Sequence, residues 1–167
     1  SGFCGGVIRA IDSAEQFLSD NPRLYSLGEM VHNEAELARL QAKGLVPVSR
    51  EDVSGLPEGS SLLIRAHGEP PSTYAAAAHL NIIDCTCPVV LKLQQSIREA
   101  HDRLAGAGTI VLFGKIGHPE VLGLVGQTTS GAGSGSAKAG LSQERRPVVV
   151  ENLPQLQAAV AFGRISA

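Results

Sequence analysis

Short apolar runs alternate with helically patterned segments along most of this 167-residue chain, and that alternation restricts the fold more than any other feature. Strand, helix and strand in regular succession imply an α/β fold with a mainly parallel sheet. "GVIRAIDSAEQFLSD" carries apolar residues at Val7, Ile8, Ile11, Ala14 and Leu18, a helical stripe that Asn21-Pro22 ends. "RLYSLGEMV" reads as a strand, "NEAELARLQAKG" as a helix capped by Asn33 and stopped by Gly44, and "LVPVS" as a short strand. After the loop "EDVSGLPEGSS" come the strand "SLLIRA", a short helix capped by Ser72, and the strand "NIIDC". A long helix follows from Pro88, a residue type favoured at the first helical position. "TIVLFG" has the texture of a buried strand, "PEVLGLVG" of a helical turn or two. "RPVVVENLPQLQAAVAF" adds a strand and a helix capped by Asn152.

Two lobes are expected, residues 1–88 and an incomplete second lobe over 89–167, with "TTSGAGSGSAKAG" as a flexible Gly/Ser-rich insert at 128–140. Both ends look cut. "SGFCGG" resembles a strand-to-helix junction without its strand, and "GRISA" stops where another strand would begin. Hydrophobic residues make up 43% and aromatics 4%, so the core should be aliphatic. A formal charge of −2 argues against nucleic acid as the main partner. No apolar run approaches the ~20 residues of a membrane span. Three cysteines, an odd count, do not suit a disulfide framework, and a reducing, cytoplasmic setting is expected.

In open α/β sheets ligands bind at the carboxyl ends of the strands. Cys4 precedes the first helix, and His32, His67 and Cys87 follow successive strands; Lys115, His118 and Glu120 follow "TIVLFG". If these junctions share one sheet edge, cysteines and histidines converge on one pocket. A thiolate at a helix start is stabilised by free amides and the helix dipole. Gly5 and Gly6 allow close backbone approach. Histidines, Lys115 and helix-start amides suit phosphate oxygens, and Glu120 suits proton transfer.

Each residue also has an ordinary explanation. A single cysteine near a helix start is usually a small buried hydrophobe, and a histidine before Gly or Asn usually a turn residue. A glutamate after Pro at a helix start often only complements the dipole. "CTC" is not a C-x-x-C redox pair, and its cysteines would make a strained disulfide. Five junctions carrying such residues together are harder to assign to chance.

The pieces "GFCGGVIRAI", "YSLGEMVHN", "IRAHGEP", "DCTCPVVLK" and "GKIGHPEVLGLVGQ", in this order, resemble the 4-hydroxy-3-methylbut-2-enyl diphosphate reductase (IspH/LytB) family of isoprenoid biosynthesis. The resemblance spans roughly Gly2 to Gln127 and resumes faintly at "VVVENL". It implies three α/β lobes around a central iron–sulfur (4Fe-4S) cluster held by three cysteines, this chain giving the first lobe and most of the second. It implies an oxidoreductase that removes the substrate's hydroxyl as water with two electrons from a donor such as ferredoxin or flavodoxin, giving isopentenyl and dimethylallyl diphosphate. By motif, Cys4 and Cys87 correspond to two cluster ligands. His32, His67 and His118 correspond to diphosphate- and substrate-contacting histidines, and Glu120 to the proton-relay carboxylate.

Nothing in the chain matches the family's third cluster cysteine, its relay threonine or the Ser/Asn motifs of its third lobe. Gln127 fits the family's "GQ" position. Cys85, where many members have Ala, is read as a small core residue pointing to the opposite side of its strand. The leading expectation is thus a truncated, inactive piece of a reductase. The alternatives are a non-enzymatic diphosphate-binding fragment, whose exposed lobe surface would favour self-association, and a zinc hydrolase, for which "CTC" plus a distant histidine is no recognised spacing.

Overall fold

The helix that follows Cys4 runs over Gly5–Asp20 (α1), and its buried residues are Ala10, Ile11 and Ala14. Ile8, counted in the apolar stripe, lies at its margin and is 47% exposed; Ala10 takes the inward place. The computed structural model describes residues 2–31, 33–104, 107–128 and 146–165. The Gly/Ser-rich stretch lies outside these residues except for Thr128.

Strands β1 (Leu24–Leu27), β2 (Leu45–Val48), β3 (Ser61–Ile64) and β4 (Asn81–Asp84) form one sheet in the order β2-β1-β3-β4. Every pairing in it is parallel. β1 stops at Gly28, whose φ of +67° leaves the strand region. α2 (Glu34–Ala42) starts where the Asn33 side chain accepts the Glu36 N–H at 3.0 Å. It ends before Gly44, at φ +110°. A 3-10 turn, Val53–Gly55, lies in the loop after β2. α3 (Pro71–Ala76) begins one residue before Ser72, which therefore sits inside the first turn instead of capping it.

Alternation along β3 sorts the core into two layers. Leu63 joins Ala10, Ala14, Leu24, Leu40 and Cys85 on the side of α1 and α2, whereas Leu62 and Ile64 join Leu27, Val53, Ala77 and Leu80 on the other. Sealing both faces is what an all-parallel sheet requires. Each fully buried Leu contributes about 1.5–3 kcal/mol.

The chain divides into two compact units, residues 1–68 with 72–91, and 69–71 with 92–167. α4 (Pro88–Leu104) begins in the first and continues into the second. The second unit holds β5 (Val111–Phe113) and β6 (Val148–Val150), paired in parallel, with α5 (Pro119–Gly126) and α6 (Leu153–Ala161). Asn152 caps α6 by accepting the Gln155 N–H at 3.0 Å. β5 is not the buried strand its sequence suggests: Phe113 is 77% exposed. Its apolar texture is matched on one side by β6, and no other described strand pairs with it. No helix among the described residues is long and apolar enough to cross a membrane.

Candidate functional site

Cys4 occupies the cap position of α1 in extended conformation, its carbonyl accepting the Ile8 N–H at 3.1 Å. Its side chain makes no capping bond, and the residue is exposed. Cys87 plays the same part for α4: its carbonyl accepts the Leu91 N–H at 3.0 Å. Both cysteines thus stand at helix starts.

Parallel pairing beyond the strands places Cys87 in register. Cys85 N–H donates to the Ile64 carbonyl at 2.9 Å and Cys87 N–H to the Ala66 carbonyl at 3.0 Å. Cys87 therefore lies beside the turn that carries His67, closed by Gly68 N–H donating to the Arg65 carbonyl at 3.1 Å. α1 comes equally near. A Cβ added at Gly6 would lie 3.3 Å from Cys87 Cβ and 3.5 Å from its Sγ. The glycine leaves the space that brings the two helix starts together.

Cys85 is a core residue, 3% exposed and packed among the residues facing α1. Burial pushes its thiol up, against a hydrogen bond with Ser13 and the charge of Arg9. The expectation that it points to the opposite side of the strand is corrected. A spacing of two keeps a side chain on the same face. Both cysteines face α1, Cys85 at the level of Ser13 and Cys87 at the helix start. Thr86, the residue between them, is fixed by a network that the strand and helix pattern does not announce. Asp84 Oδ1 accepts the Thr86 N–H at 2.8 Å and its Oγ1–H at 2.5 Å, while Asp84 Oδ2 accepts the Tyr74 hydroxyl at 2.8 Å. The Asp-x-Thr spacing, an Asx-turn signal, is visible in the sequence.

The loop leading to His32 is tied to the same sheet edge. Arg65 Nη1 donates to the Glu29 carbonyl at 3.1 Å, and its guanidinium occupies the space that a Cβ on Gly28 would need. His32 itself lies outside the described residues.

The remaining candidates belong to the second unit. His118 caps α5, its Nδ1 accepting the Glu120 N–H at 3.3 Å. That bond orients the ring with Nδ1 toward the helix start. Glu120, half-buried, stands in the first turn of α5. Lys115 is exposed, and the Ile116 N–H beside it donates to Glu151 Oε1 at 2.7 Å. These residues follow β5, which pairs with β6 and not with β4, so the five junctions do not share one sheet. The four-stranded sheet carries Cys87, His67 and the loop to His32.

Among the described residues no three His, Cys, Asp or Glu side chains gather as a metal site. An exposed thiol and a half-buried one at neighbouring helix starts fit two ligand positions of a thiolate-held cluster. Cys85 does not fit a third, because its sulfur is enclosed by the core.

Comparison with known proteins gives a consistent result. The family described as LytB protein matches residues 1–156. The 4-hydroxy-3-methylbut-2-enyl diphosphate reductase of Parabacteroides distasonis is 51% identical over 131 residues, which cover 77% of this chain and 45% of that protein. The reductase of the same name from Bacteroides fragilis is 49% identical over 135 residues, 79% of this chain and 46% of that one. The solved structure of the E-1-hydroxy-2-methyl-but-2-enyl-4-diphosphate reductase from Plasmodium falciparum superposes with a TM-score of 0.75 at 28% identity, covering 93% of this chain and 44% of that one. A second structure, of an (E)-4-hydroxy-3-methyl-but-2-enyl diphosphate reductase, gives 0.69 at 33% identity, with 96% and 52% covered. The chain thus spans about half the length of the relatives it matches.

Proposed function

The chain belongs to the LytB family, and on that premise we propose that it supplies part of a 4-hydroxy-3-methylbut-2-enyl diphosphate reductase. That enzyme is an oxidoreductase of isoprenoid biosynthesis. In this reading Cys4 and Cys87 are two thiolate ligands of a 4Fe-4S cluster, and the third lies outside this sequence. The observation that carries the reading is the approach of two helix starts that begin at cysteines, Cys4 exposed and Cys87 half-buried, with Gly6 leaving space beside Cys87 Sγ.

When bound, such a cluster supplies electrons and a Lewis-acidic iron for the departure of an allylic hydroxyl. This chain's residues do the rest of the work assigned to it. His67, on its tight turn beside Cys87, and His32 offer N–H donors to diphosphate oxygens. His118, oriented by its Nδ1 contact with the Glu120 N–H, contacts substrate oxygen. Glu120, at the start of α5, holds and delivers a proton, since a carboxyl in reach of a leaving hydroxyl acts as general acid. The 1–88 and 89–167 lobes are the first and most of the second of three. The setting is cytoplasmic, and the electrons come from a small donor such as ferredoxin or flavodoxin.

Anaerobic reconstitution of the chain with iron and sulfide, followed by an iron count and visible absorption, tests the ligand assignment. Bound iron should fall on Cys4→Ser or Cys87→Ser and persist on Cys85→Ala. Iron lost with Cys85→Ala but kept with Cys87→Ser would overturn it.

A further inference from the structure

We propose that Arg9 is a positioning residue for Cys87. From the second turn of α1, five residues after Cys4, its Nη2 donates to the Thr86 carbonyl at 2.6 Å and to the Cys85 carbonyl at 3.1 Å. Those are the two carbonyls immediately before Cys87. One guanidinium nitrogen thereby ties the helix that begins at Cys4 to the residues that lead into α4. The purpose assigned to this clamp rests on the reading of Cys4 and Cys87 as paired ligands.

The clamp completes a set of restraints on a short segment. Asp84 holds Thr86 through its N–H and hydroxyl, and Tyr74 of α3 holds Asp84. β3 holds the Cys85 and Cys87 amides. None of these bonds reaches α1. Arg9 does, and it presents a permanent cation with several donors in a fixed fork, which suits two adjacent carbonyls. Thr86 is 2% exposed and its bond to Arg9 is part-buried, so the clamp closes over the carbonyl from the solvent side. With Arg9 in place the turn cannot slide along α1, and Cys87 stays opposite Gly6. Without it, the sheet bond of Cys87 and the Asp84 network remain, and the Cys85–Ser13 hydrogen bond is the polar tie left between this segment and α1.

The three thiols report on this separately, because Cys4 is exposed, Cys87 half-buried and Cys85 buried. Alkylation of the metal-free chain with iodoacetamide, read at each cysteine by mass spectrometry, should label Cys4 first, Cys87 more slowly and Cys85 least. Arg9→Met should raise the Cys87 rate several-fold while Cys85 stays protected. Arg9→Lys, which keeps a charge and donors, should bring the Cys87 rate back toward that of the parent chain. An unchanged Cys87 rate in Arg9→Met overturns the proposal. So does labelling of Cys85 in step with Cys87, which would show general loosening of the core, or equal rates in Arg9→Lys and Arg9→Met. None of these readouts needs iron. A chain that gives the expected labelling yet loses no iron when Cys4 or Cys87 is replaced keeps the clamp and rejects the ligand reading.

Discussion

Gly6 lies against Cys87 so closely that a methyl group there would stand 3.3 Å from Cys87 Cβ, 3.4 Å from Ala66 Cβ and 3.5 Å from Cys87 Sγ. Two of these atoms are anchored directly to main chain and give way little. Gly6→Ala therefore sets crowding of about 1–3 kcal/mol against a helix-propensity gain of about 1 kcal/mol. Stability should fall by about 0–2 kcal/mol, while the added methyl shields the thiol. Alkylation of Cys87 relative to Cys4 should slow in Gly6→Ala and stay unchanged in Gly5→Ala, where no atom lies within 4 Å of the added carbon. Equal Cys87 rates in the two variants would show that Gly6 does not set the approach.

Asp84 organises the turn before Cys87 through three accepted hydrogen bonds. Asp84→Ala leaves the Thr86 amide, on a residue only 2% exposed, without that partner, and should cost about 2–3 kcal/mol in urea unfolding. Asp84→Asn keeps one accepting oxygen for Thr86, and its amide can donate to the Tyr74 hydroxyl. Its cost should be about 1 kcal/mol. Equal costs for the two variants would place the stabilisation in the charge and not in the bonds.

Much of this arrangement is legible in the chain itself, for physical reasons that differ from residue to residue. The helix of α1 and its stop at Asn21-Pro22, the Asn33 and Asn152 caps and the Gly44 stop depend on neighbours within a few residues, and those are local in sequence. Cys4 and Cys87 are readable as helix-start thiols for the same reason. The side of the strand taken by Cys85 is also local, since residues two apart share a face and Cys85 therefore lies on the side of Cys87. Arg9 is different. Its partners lie 76 and 77 residues away, and nothing in the local pattern of "VIRAID" distinguishes it from any exposed helical arginine. The exposure of β5 is likewise set by which strands flank it, a matter of topology that its apolar sequence does not carry.

Gly44 and Gly59 separate backbone strain from collision within the first unit. Both have positive φ, +110° and +74°, but an added Cβ collides with the Pro22 carbonyl oxygen in the first and meets nothing within 4 Å in the second. Gly59→Ala should cost about 1–2 kcal/mol for the left-handed conformation alone. Gly44→Ala adds about 1–3 kcal/mol because the obstacle is main chain. Urea midpoints with unchanged slopes would measure both. A Gly44→Ala cost no larger than that of Gly59→Ala would mean that the α2–β2 turn moves away from Pro22 freely.

Glu15 of α1 joins α2 through Arg39 and Lys43, and hydrogen bonding to Arg39, then to Lys43, lowers its pKa to about 2. A carboxyl whose folded value lies below its ordinary 4.5 favours the folded state whenever it is ionised. Its contribution is fully present above about pH 4.5 and is lost as the pH falls through about 2. Exposure and salt screening keep that contribution small. The titration itself is the sharper observable. Carboxyl chemical shifts followed by NMR should place the Glu15 midpoint near 2 in the parent chain. Arg39→Gln should move it upward, short of the ordinary value because Lys43 remains. A parent midpoint near 4.5 would show that the α1–α2 ion pair does not persist in solution.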